Sequence, residues 1–193
     1  EFGVMGLQLW FHAHGIDESN VHKPYRPKSR GIGNSQILPY DYYLQADIEL
    51  VFREMAEQVA IRLRRKKKKT QLVSIHASYS KIEGLPSIHC QQKIEPTQST
   101  KVLSDTVLQL FRSKYEGGAI RQIGVFYGEL VEESLQLFSL FDDPVALEKE
   151  EKLQQTIDRI RDQFGFTSLQ KGSSLLENSR AIARSKLTGG HSA

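Results

Sequence analysis

Between Asp47 and Lys66 the apolar residues Ile48, Val51, Phe52, Met55, Val59 and Leu63 recur every three or four positions. On an α-helix that spacing gathers them into one continuous stripe. Such a stripe needs a flat apolar partner, and the segments that follow offer one. From Leu72 to Tyr79, Val73, Ile75, Ala77 and Tyr79 alternate with Ser74, His76 and Ser78. Beyond Pro86, from Ser87 to Ile94, Ile88, Cys90 and Ile94 alternate with Ser87, His89, Gln91 and Lys93. A period of two marks a strand with one face inward. A second helix is expected over Ser104–Tyr115, carrying Val107, Leu108, Leu110 and Phe111, with Glu116-Gly117-Gly118 as its stop. Ile120 to Val131 reads as a strand, in which Ile123, Val125 and Tyr127 alternate. Lys28 to Leu38, polar, Gly-containing and followed by Pro39, reads as the first strand.

The order strand, helix, strand, strand, helix, strand predicts an α+β fold: a four-stranded antiparallel sheet with two helices on one face. Two helices cover only one side, so the other must meet water or a ligand. Its expected side chains are Ser74, His76, Ser78, Ser87, His89, Gln91 and Lys93. Small polar groups and a cation allow the close approach of a sugar-phosphate backbone; an ordinary wet sheet face has the same pattern.

Net charge is only +3 and argues for nothing alone, but its distribution is uneven. Arg62, Arg64, Arg65 and Lys66 to Lys69 form one basic run, and Lys23, Arg26, Lys28 and Arg30 another. Either could meet phosphates, and the first could equally be a solvated helix end. Cys90 is the only cysteine, so an internal disulfide is excluded and a cytoplasmic setting is expected. No apolar run approaches the roughly 20 residues that cross a bilayer, and no membrane partner is expected. The opening Glu1-Phe2-Gly3-Val4 lacks both Met and a basic leader, as a fragment would.

Flanking this unit, residues 3–14 read as a helix with Val4, Leu7, Trp10 and Phe11 at helical spacing and Gly15 as its cap. His12 and His14 are two apart and would not share a helix face, against a metal site. Ile16 to Pro27 reads as an extended linker. A further helix is expected over Pro144–Phe164 with Leu153, Ile157, Ile160 and Phe164 as its stripe. The Ser- and Gly-rich tail, Gln170 to Ala193, is expected to order partly, and only in a complex.

Three segments carry a family resemblance. Lys28-Ser29-Arg30-Gly31-Ile32-Gly33-Asn34-Ser35 is similar to the opening strand of the little-finger domain in Y-family translesion DNA polymerases. Leu9-Trp10-Phe11-His12-Ala13-His14-Gly15-Ile16-Asp17 resembles the close of their thumb domain, and Ile120-Arg121-Gln122-Ile123-Gly124-Val125 the strand that completes the little finger. The three fall in order, and the chain resembles the UmuC/ImpB/MucB branch from Gram-positive bacteria, plasmids and phages. The resemblance implies the end of a thumb over 1–20, a linker over 21–27, a DNA-binding little finger over 28–132, a clamp-binding segment over 133–143 and a helix with tail over 144–193.

It also implies the chemistry. The open sheet face would grip the DNA backbone without reading sequence, as part of error-prone synthesis in DNA repair and the SOS response. Lys23 and Arg26 fall in the tether, Lys28, Ser29, Arg30, Gly31 and Gly33 on the first strand, and Arg121 and Gln122 on the last. Gln122 stands where some relatives have Arg, which weakens one contact. With Ser74, His76 and Lys93 of the open face, these form the candidate DNA-binding set. Gln136-Leu137-Phe138-Ser139-Leu140-Phe141 resembles a lengthened form of the peptide by which bacterial proteins dock on the sliding clamp. Gln136 would hydrogen-bond, and Leu137, Leu140 and Phe141 would fill an apolar pocket; the bland alternative makes them core. The Mg²⁺-binding carboxylates of such polymerases lie in a palm domain that would precede residue 1, so no cofactor and no polymerase activity is expected of this chain alone. The resemblance leaves room for a RecA or UmuD-like partner without pointing to residues for it.

Two other classes compete. A free-standing α/β RNA-binding module would share the sheet and the Lys run, but the expected open face lacks the aromatics that stack on bases. A metallo-enzyme would need His76, His89 and Cys90 together, yet neighbours on a strand face opposite ways.

Overall fold

The computed structural model describes residues 3–17, 31–133 and 143–186. In chain order the elements are α1 (Gly3–Ala13), β1 (Ile32–Tyr42), α2 (Gln45–Arg65), β2 (Lys68–Tyr79), β3 (Ile88–Thr97), α3 (Thr100–Arg112), β4 (Ile120–Glu132), α4 (Pro144–Phe164) and α5 (Ala181–Ser185). Two single 3₁₀ turns, Phe166–Ser168 and Gly172–Leu175, lie between the last two helices.

The sheet order is β1-β4-β2-β3, and each neighbouring pair is antiparallel. Each helix therefore joins two strands that are separated in the sheet by a strand of the other unit. The expected architecture stands. All six stripe residues of α2 are fully buried, as are Val107 and Phe111 of α3. Opposite them lie Val73, Ile75 and Ala77 of β2 and Ile123, Val125 and Tyr127 of β4. The Phe52 and Phe111 rings meet at 5.0 Å between centroids, where the two helices touch above the sheet. Replacing Phe52 by Ala would open a cavity there, at a cost of about 3–5 kcal/mol. The buried Tyr127 hydroxyl donates to the Ala56 carbonyl at 3.1 Å, so the core holds no stranded hydroxyl at that point.

Several boundaries and one docking mode differ from the sequence reading: β2 begins at Lys68 and not Leu72, and α3 spans Thr100–Arg112 and not Ser104–Tyr115. β1 starts later than expected and runs through Pro39 to Tyr42. Its pairing with β4 slips between Ile37 and Tyr42. An irregular stretch of an edge strand is where a residue without N–H is tolerated. α4 has the expected bounds but not the expected face: Leu153 and Phe164 are 57% and 66% exposed, while Asp158 and Arg161 are buried. The helix docks by ion pairs, because it lies beside the polar flank of α2 and away from the sheet. Arg64 of α2 grips Asp158 through two hydrogen bonds, Nε to Oδ2 at 2.6 Å and Nη2 to Oδ1 at 3.0 Å. Arg161 of α4 donates to Glu57 at 2.7 Å, and Ser99 to Glu150 at 2.6 Å.

The tail is the third difference, for residues up to 186 fold back on the domain without any partner. Asn178 donates to Asp47 at 2.8 Å and accepts from the Tyr40 hydroxyl, while its carbonyl accepts from Tyr42 at 3.1 Å. Burial, with Tyr40 alongside, pushes the Tyr42 hydroxyl pKa up to about 12. Glu54 takes the Ser179 hydroxyl and the Arg180 N–H. These are polar contacts of side chains with side chains and backbone, and they leave no apolar period to read.

Candidate nucleic-acid interface

Register alone builds the helix-free face. Outward residues line up in rows across the strands in the order β1, β4, β2, β3. One row reads Ser35, Gly124, His76, His89; the next reads Gly33, Phe126, Ser74, Gln91. On the far side of these, Gly128, Leu72 and Lys93 share a row. Ile37, Gln122 and Ser78 share the row at the other end. A shallow trough of about 570 Å³ runs along the two middle rows.

The candidate residues thus divide. Gly33, Ser74, His76, Lys93 and Gln122 stand on this one face, as expected from the alternation. Gly31 lies just ahead of β1. Arg121 is the residue over which the β2–β4 register slips, and its Nη1 lies 3.7 Å from the Asp41 carboxylate. Asp41 is also held by Ser80 at 2.6 Å. Lys93 reaches Glu129 at 3.1 Å, an exposed pair worth little against a competing phosphate. Lys23, Arg26, Lys28, Ser29 and Arg30 lie outside the described residues, as do Gln136, Leu137, Leu140 and Phe141.

His76 and His89 pack with ring centroids 4.4 Å apart and planes tilted by 36°. The Ser78 hydroxyl lies 3.0 Å from His76 Nε2, and His76 Nδ1 is buried without a partner among the described residues. Burial, then the neighbouring His89, holds the His76 pKa below its ordinary value. Cys90 points to the helix side, where its thiol approaches the Leu110 carbonyl at 3.6 Å. Burial pushes that thiol pKa up. The three potential ligands are therefore split between the two sides of the sheet, and the metallo-enzyme reading loses its site.

Phe126 corrects the expected face. The alternation of Ile123, Val125 and Tyr127 already requires Phe126 to point outward, and it does, 39% exposed on a central strand. The open face therefore carries an aromatic, and the argument against base stacking falls. Glycines make room for it. A Cβ on Gly31 would collide with the ring tip, and one on Gly33 would come within 2.9 Å of Phe126 Cδ2 and 3.0 Å of the Val125 carbonyl. A Cβ on Gly128 would come within 3.1 Å of the ring. Gly31 and Gly33, both in the candidate DNA-binding set, thus leave the space that the Phe126 ring occupies.

The basic run of α2 and β2 divides: Lys66 and Lys67 are exposed at the end of α2, while others of the run are paired. Arg64 and Arg65 pair with Asp158 and Asp162 of α4, and Lys68 with Glu132. Arg62 donates to the Gly33 carbonyl at 2.8 Å, covering the outer edge of β1. Arg64 and Arg65 thus seat the helix that follows the sheet. At Glu57 burial opposes ionisation, but Lys171 and then Arg161 outweigh it and hold the pKa below the usual value.

Two interleaved strand-helix-strand units with one bare, aromatic-bearing sheet face define a docking module of the α+β class. Residues 29–139 match the impB/mucB/samB family C-terminal domain, and the chain belongs to that family. The resemblance drawn from its three motifs is borne out. It is 35% identical over 99% of its length to UvrX of Bacillus subtilis, whose name refers to UV-damage repair. It is 33% identical, again over 99%, to DNA polymerase IV 2 of Halalkalibacterium halodurans. In both cases the chain spans 46% of the relative, about half its length. Among solved structures it is similar to a complex of beta-clamp processivity factor and the little finger domain of PolIV. That match has a TM-score of 0.44 and 11% identity, and covers 58% of this chain and all of the other. Among the described residues, no helix is long and apolar enough to cross a membrane.

Proposed function

We propose that this chain is the DNA-gripping part of a translesion polymerase, acting in damage repair and the SOS response within the cytoplasm. The observation that carries the reading is a polar sheet face left bare by both helices, in a chain whose residues 29–139 match this family's C-terminal domain. The face would lie along duplex or primer-template DNA, with Lys28, Ser29 and Arg30 leading into β1 and Lys23 and Arg26 in the tether. Ser74, His76, Lys93, Arg121 and Gln122 complete the contact, which positions phosphates and does not read bases. Chemistry, with its Mg²⁺, would come from the portion of the relatives that this chain does not span. The test is fluorescence anisotropy with duplex DNA across a salt series. Log affinity should fall linearly with log salt, by about 0.9 per phosphate neutralised, with little dependence on sequence. Salt-independent binding would rule the reading out.

Clamp docking by Gln136 to Phe141 belongs to the same proposal. Each buried apolar side chain contributes about 1.5–3 kcal/mol. Leu140→Ala with Phe141→Ala should therefore weaken binding to the bacterial sliding clamp at least about a hundredfold while leaving stability unchanged. A large drop in melting temperature would make both residues core instead. The RNA-binding reading is kept as an alternative because Phe126 supplies the stacking group it was thought to lack.

A further inference from the structure

Taking the open face as a DNA surface, we propose that Phe126 and the His76–His89 pair form a stacking platform for unpaired nucleotides of single-stranded DNA. Duplex bases already stack within the helix and offer no free ring face to a side chain. An unpaired base does, and any of the four can occupy such a platform.

Three observations converge on it. The first is pre-organisation. The phenyl ring is seated over Gly31 and Gly33 and beside Gly128, so one side rests on glycine backbone and the other meets solvent. A ring held this way has little rotamer freedom left to lose on binding. The second is the neighbouring row, two residues away along the strand and so about 7 Å distant. There the two imidazoles meet with centroids 4.4 Å apart and planes tilted by 36°, and Gly124 leaves their β4 neighbour without a side chain. Phe126 and the imidazole pair thus share one trough. The third is charge. No carboxylate is among the described residues lining the trough. Its titratable groups are the two histidines, faced by Ser35 and Ser78; in the row beyond, Lys93 pairs with Glu129. Lys28 and Arg30 immediately precede the glycine that touches the Phe126 ring. A strand with its bases turned to the sheet and its phosphates to the rim is complementary to this arrangement.

The test compares a short oligo-dT, an abasic oligonucleotide of the same length and charge, and a duplex, all at one salt concentration. The wild-type chain should bind oligo-dT at least roughly fivefold tighter than the abasic strand, the lower limit for a single stacked base. Phe126→Leu should cut the oligo-dT preference by at least roughly fivefold, the share of one stacked base, and leave abasic and duplex binding unchanged; Phe126→Tyr should keep the preference. Equal wild-type affinity for oligo-dT and the abasic strand would overturn the platform without needing any variant. A Phe126→Leu loss equal on all three ligands would overturn it too. If every ligand bound with the expected salt dependence but without base dependence, only the platform would fall. Absence of salt-dependent binding to any of them would remove the DNA reading and the platform together. A tenfold preference for oligo-U over oligo-dT would replace DNA by RNA as the occupant.

Discussion

Gly31 and Phe126 form a lock that one methyl group can test. All three nearest atoms to a Cβ on Gly31 belong to the Phe126 ring, so the conflict is with one side chain and not with a backbone. Gly31→Ala should destabilise the domain by about 1–3 kcal/mol, as overpacking does. In a Phe126→Ala background the same change should cost almost nothing, and urea titration of the four proteins gives the coupling directly. His76 makes a second prediction at this scale. Burial, then His89, lowers its folded pKa, so the unfolded chain takes up a proton first, near pH 6.5. Stability should be full above about that pH, decline as pH falls below it, and level off once the folded histidine protonates too. His76→Gln should flatten the urea midpoint between pH 7 and 5.5. A midpoint that falls equally in both proteins would place the titration elsewhere.

Among the elements, α4 shows how a correct boundary can accompany a wrong face. Its limits were legible because Asp143 caps the first turn, Pro144 sits inside it and Gly165 follows the last. Its orientation was not, since Leu153, Ile157, Ile160 and Phe164 have helical spacing while the buried contact is Asp158 with Arg64. Periodicity locates an apolar stripe; it is silent about a helix that docks by charge. The two ion pairs should differ sharply. Arg64 and Asp158 are 8% and 12% exposed, so Asp158→Ala strands a guanidinium and should cost about 3–5 kcal/mol. Arg65 and Asp162 are about half exposed, and Asp162→Ala should cost under about 1 kcal/mol. Hydrogen exchange should find the α4 amides unprotected in the first variant and protected in the second.

For the molecule as a whole, the C-terminal return is structural: a chain ended at residue 142 should unfold at lower urea than the full one, because Asp158, Arg161 and Asn178 are removed from α2 and β1. Sheet and helix pair were readable because alternation and stripe repeat many times within each element. The return was not, because its contacts join single polar residues 51 or more positions apart, such as Ser99 with Glu150 and Arg64 with Asp158. Phe126 lay between the two: its direction followed from its neighbours, but its glycine seat comes from the pairing of β1 with β4. That pairing has a temporal side. β4 is the last strand made, yet it lies between β1 and β2. On the ribosome, at roughly 5–20 residues per second, β1 therefore waits several seconds for its only neighbour while its apolar side chains are already out of the exit tunnel. Loop closure over so long a span slows folding further. The apolar face of β1 stays uncovered until residue 132 emerges, and a synonymous slow-codon cluster placed before β4 should lengthen that exposure, read as more aggregation during translation.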